Sequence, residues 1–128
     1  SDMEQILSKA IEMHGHLGPF LVIGVKMGIL AEKLLGEKAR SCEFKAINKI
    51  PYLCAVDGIK SVIGENIVIV KEGDGISATF LGPNGKEVVL KIKRNIIEKY
   101  VHVPWERCEE SAREVLLEDE ENLLDVLF

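Results

Sequence analysis

The chain reads as an α+β fold, a mostly antiparallel sheet with helices packed on one face, N-terminal helices before the strands and a C-terminal helix after them. Three observations predict it. Apolar residues recur with a helical period over residues 3–13 and 20–35. Three runs, 66–73, 75–82 and 86–93, have strand patterns and are joined by Glu-Gly-Asp-Gly and Gly-Pro-Asn-Gly, both good tight-turn sequences. Beyond residue 94 the sequence is helical again. No linker or internal repeat divides the 128 residues, so one domain is expected over 1–128, with a core at about 5–95 and a C-terminal helical segment at about 94–128.

In the first helix Ile6, Leu7, Ala10, Ile11 and Met13 carry the period, and His14-Gly15-His16 breaks it. Pro19 suits the first turn of the second helix, where a missing N–H costs nothing, and Gly36 suits its end. Gly24 and Gly28 stand four apart on one face of that helix. Each costs roughly 1 kcal/mol relative to alanine. Close approach of another element, in this chain or in a second copy, is the expected compensation. Residues 41–48 alternate as a strand with Cys42, Phe44 and Ala46 on one face. Residues 49–64 then form a loop entering a short helix, with Pro51 near its start and Gly64 at its end. The three strand runs form an antiparallel meander. Residues 95–100 are helical, and a last helix begins near Pro104 and runs to Phe128.

The net charge of −5, with Lys and Arg dispersed, argues against non-specific nucleic-acid binding. No apolar run is long enough to span a bilayer, because Lys26, Glu32 and Lys33 interrupt the longest one. The first residues lack a basic stretch followed by an apolar one. Cys42, Cys54 and Cys108 are too sparse for a disulfide framework. Together these point to a cytoplasmic protein that binds a small molecule, a metal or another protein.

His14 and His16 cannot face one ion from a regular helix, where residues two apart point about 200° apart. In the irregular segment made by Gly15 and Gly18-Pro19 they can. Cys54 falls in the first turn of its helix, where the dipole lowers a thiol's pKa. Asp57 lies on the same face, able to act as a ligand or to orient a histidine. Cys42, on an apolar strand face, and Cys108, among charges, read as structural. His102 reads as packing, and Tyr100 and Trp105 as core or interface aromatics. The glycine-rich turns join strands and are not phosphate loops, which open onto a helix.

His14-Gly15-His16 with Gly18-Pro19, Gly24 and Gly28, followed by Cys54, Asp57, Gly58 and Ile59 and a strand-rich half, resembles the FmdE-like family, which is named for its association with formylmethanofuran dehydrogenase. The resemblance covers roughly residues 5 to 95 and implies an α+β core, usually a homodimer, with a cleft that holds a transition metal. Carried over, it makes His14 or His16, or both, and Cys54 the candidate metal ligands, with Asp57 beside them. Zinc comes first, with nickel or iron as alternatives. The components of a molybdenum- or tungsten-containing formylmethanofuran dehydrogenase, or a small molecule, are the implied partners. The chain departs from the family pattern at Gly18, where many members have cysteine, and at Lys60, which replaces a glutamine. It also lacks a Gly-Cys-Thr segment and a cysteine-rich C-terminal module.

Three readings follow. The first is a small metal-binding protein with an open coordination position. The second is a non-catalytic dimeric interaction subunit that has lost the metal site. The third is a metal-free thiol enzyme with Cys54 as nucleophile and a histidine as base.

Overall fold

The computed structural model describes residues 2–47 and 49–127, leaving aside the side chains of Asp2 and Asn66. The expected strand end at Asn48 and helix end at Phe128 lie outside the described residues. The elements are α1 (Asp2–His14), α2 (Pro19–Leu35), β1 (Ser41–Ala46), α3 (Ile50–Ile63), β2 (Val68–Glu72), β3 (Ile76–Leu81), β4 (Glu87–Ile92), α4 (Arg94–Tyr100), α5 (Cys108–Leu117), α6 (Glu120–Leu123) and β5 (Leu124–Leu127). Short 3-10 turns at Glu65–Ile67 and Trp105–Arg107 lead into β2 and α5. This is the expected α+β architecture.

The five strands form one sheet in the order β2-β1-β3-β4-β5. Only β1 and β2 run parallel, because α3 connects them, and a parallel pair needs such a crossover. The other pairs are antiparallel. Cys42, Phe44 and Ala46 of β1 lie opposite Phe80, Ala78 and Ile76 of β3, and all six are buried. Val88, Leu90 and Ile92 of β4 continue that face, whereas the alternate residues of all three strands are more accessible. A period-2 pattern therefore puts the helices on one face of the sheet.

Two expectations are corrected. The last three strand runs are not a simple meander, since β1 lies between β2 and β3. Gly73-Asp74-Gly75 does not close a hairpin. It carries the chain across the end of β1, with the Gly73 amide donating to the Ala46 carbonyl at 3.2 Å. Gly73 has little room for a side chain there, because a Cβ would stand 3.1 Å from that of Lys45. The C-terminal segment is not one helix either. α5 stops at Leu117, α6 is a short piece, and Leu124–Leu127 pairs with β4 as an edge strand. An unpaired β4 edge would leave a row of backbone groups unsatisfied. Pairing there also buries Leu123 and Leu124.

Helix α2 is buried on nearly all sides, as suits a helix that is apolar all round. Even Lys26 is buried, its ammonium donating to the Glu118 carbonyl at 2.5 Å. Gly36 caps α2 in the left-handed conformation, its amide donating to the Glu32 carbonyl.

The compensation for Gly24 and Gly28 comes from α3 of the same chain. A Cβ on Gly24 would stand 2.1 Å from the Ala55 carbonyl oxygen, and one on Gly58 would stand 2.2 Å from that of Leu21. A Cβ on Gly28 would meet the Val62 side chain at 2.8 Å. The two backbones touch, which no larger residue would permit.

Candidate metal centre

The seam between α2 and α3 brings the N-terminal ends of both helices together. Helix α1 ends at His14, and Gly15, at φ 105°, turns the chain out of it. Gly18 is extended and Pro19 opens α2. Within this turn the rings of His14 and His16 lie 5.0 Å apart between centroids, tilted by 36°. His14 Nδ1 is 2.7 Å from Asp57 Oδ2, across to α3. If Nδ1 carries the proton it donates to the carboxylate, and Nε2 is left with a lone pair.

Both histidines line a cleft of about 240 Å³. Cys54 and Cys108 line it as well. Its apolar walls include Phe20, Pro51, Tyr100, Val101, Val103 and Trp105. The Trp105 ring lies 4.3 Å from that of His16, tilted by 41°, although Trp105 itself is 69% exposed. Burial, and secondarily the neighbouring His14, lower the His16 pKa. The ring therefore favours its neutral form, the one that offers a nitrogen lone pair.

Cys54 does not occupy the first turn of its helix, because α3 already begins at Ile50. Its thiol donates to the Ile50 carbonyl at 3.3 Å. Burial first, then the charges of Asp57 and Cys108, push its pKa up to about 11. The expected dipole-lowered thiol is therefore corrected, since desolvation and neighbouring negative charge outweigh the helix end.

Asp57 meets His14, and the cleft gathers His14, His16 and Cys54 from α1, the turn and α3. Cys42 stays apart, sealed in the sheet core with its thiol pushed up to about 12 by burial. Cys108, read from the sequence as structural, lines the cleft too. The available signal was its three-residue spacing from Trp105, one turn of helix, and nothing local showed that this turn would fold back onto His16. His102 is exposed, which corrects its reading as packing, and Tyr100 is buried with its hydroxyl donating to Glu114.

Among the described residues no group of three or more His, Cys, Asp or Glu side chains is placed to hold a metal ion. The donor types are those that suit a borderline-soft divalent ion, two imidazoles, a carboxylate behind one of them, and two thiols.

No helix is long and apolar enough to cross a membrane among the described residues. The family model described as "FmdE, Molybdenum formylmethanofuran dehydrogenase operon" matches residues 13–126. No curated protein matches the chain.

Proposed function

The chain belongs to the FmdE family, and from that premise we propose that its cleft binds a transition metal ion, zinc before nickel or iron, in a cytoplasmic protein accessory to a formylmethanofuran dehydrogenase. His14 and His16 donate through Nε2 and Cys54 through its sulfur. The observation that carries this reading is the 2.7 Å contact between His14 Nδ1 and Asp57. A carboxylate behind an imidazole fixes the ring's tautomer and raises its basicity, the usual support of a metal-bound histidine. Binding would remove the Cys54 proton, so the thiol's raised pKa makes affinity increase with pH. Three protein ligands would leave one tetrahedral position for water or substrate, where the ion would act as a Lewis acid.

Elemental analysis of protein purified without added metal tests this. The expected result is near-stoichiometric metal that is lost in Cys54→Ala and His16→Ala. Negligible metal in the wild type, with none taken up from added Zn²⁺, would defeat the reading. Light scattering on the same sample reads the homodimer that belongs to it, and a monomer would remove that element.

The interaction-subunit reading is favoured by a separate observation. Ile69 and Val70 of β2 are 57% and 47% exposed on the sheet's edge, a surface suited to a protein partner. Against the thiol-enzyme reading stands the raised pKa of Cys54, which burial and neighbouring charge produce and which disfavours the thiolate at neutral pH.

A further inference from the structure

Cys108 stands outside the ligand set just described, but its place in the fold argues for including it. It is the first residue of α5, and it lines the same cleft as His14, His16 and Cys54. It also borders a second hollow with His16 and Trp105. Cys108 and His16 therefore share both hollows with Trp105, whose ring meets His16 where the chain turns into α5.

Both cleft thiols rest on their own helical backbones. Cys54 donates to the Ile50 carbonyl at 3.3 Å and Cys108 to the Pro104 carbonyl at 3.5 Å. These are weak sulfur contacts, and rotation about one side-chain bond releases either without moving the backbone. At position 18 the wall offers His16 no donor, because Gly18 has no side chain and a Cβ there would lie in van der Waals contact with His16 Nε2, at 3.6 Å.

We propose that Cys108 is a second thiol ligand to the ion in this cleft, completing a two-nitrogen, two-sulfur set with His14, His16 and Cys54. The inference rests on the metal-binding reading and changes its consequence. Four protein ligands close a tetrahedral site, the arrangement of structural zinc, whereas three leave it open for chemistry. The ion would then tie α5 to the N-terminal helices, and each coordinating thiol would release its proton to solvent.

Cobalt(II) added to the metal-free full chain tests this by two signals. Thiolate-to-cobalt charge transfer in the near ultraviolet reports the number of sulfur ligands. Quenching of Trp105, the single tryptophan, reports occupancy of this cleft. The expected result is a two-thiolate spectrum in the wild type. In Cys108→Ser, one thiolate's share of the intensity should disappear and affinity should fall at least about tenfold. Circular dichroism of metal-free Cys108→Ser should match the wild type, because the side chain is only partly buried. If Cys108→Ser binds cobalt with unchanged spectrum and affinity while Cys54→Ser loses the band, Cys108 is no ligand and the three-ligand reading stands. If the wild type shows neither quenching nor charge transfer, both proposals fall.

Discussion

Where α2 crosses α3, Gly24, Gly28 and Gly58 let two helices meet at backbone distance. Toward the N-terminal ends of the same helices the walls part around a cleft of about 240 Å³ lined by two imidazoles and two thiols. The first region is closed by the absence of side chains. The second is closed on its far side by Trp105 and Cys108, from a segment that follows both helices and four strands of the sheet. The contrast teaches that the position of the donors and the closure of the site are controlled separately. The seam fixes how Cys54 and Asp57 face His14, and the C-terminal segment decides how much of the cleft stays open.

The strongest way to break the comparison is Gly58→Ala. Its methyl would fall 2.2 Å from a backbone oxygen, which cannot rotate away. Overpacking should cost about 3 kcal/mol, offset by about 1 kcal/mol of helix propensity, for a net loss of about 2 kcal/mol in denaturant unfolding. An unchanged midpoint would mean that the seam is looser than its geometry.

Asp57→Asn probes the cleft alone. The amide keeps an acceptor for His14 but loses the charge. Metal affinity should fall about tenfold, equivalent to about 1.4 kcal/mol, with unfolding free energy moved by less than about 0.5 kcal/mol. Equal zinc affinity in the two proteins, measured by competition with a chelator, would deny Asp57 its orienting role.

The smallest effect concerns Tyr100, where the C-terminal wall meets the cleft. Burial first, then its hydrogen bond to Glu114, push its pKa up to about 12. In the unfolded chain the value is about 10. The contribution is whole below the unfolded value and is lost as pH rises through the folded one, because the unfolded chain ionises first. Stability should therefore fall between about pH 10 and 12. Tyr100→Phe should cost about 1 kcal/mol at neutral pH and flatten that alkaline slope. A slope identical in both proteins would assign it to other groups.

Much of this molecule was legible locally. Pro19, Gly36, Pro51 and Gly64 mark the limits of α2 and α3 because each acts through its own backbone. The alternation of Cys42, Phe44 and Ala46 marks the buried face of β1 for the same reason. Strand neighbours were not legible, since β2 and β3 are adjacent in sequence and separated in the sheet by β1. Nor was the final strand, because Leu124–Leu127 follows a helix-like acidic run and becomes β only against the open edge of β4.

By itself, then, the sequence determined the class of the fold, the limits of α2, the family resemblance and three candidate donors, all carried by short-range pattern. Tertiary structure alone decided that the glycine face meets α3 within the chain, that Cys54 is a half-buried thiol of raised pKa, and that Trp105 meets His16 while Cys108 lines the same cleft. The physical reason is that desolvation, contact and charge at a point depend on whatever the fold brings there. Residues 14, 54 and 108 share no local signal until the sheet and the glycine seam draw their segments together.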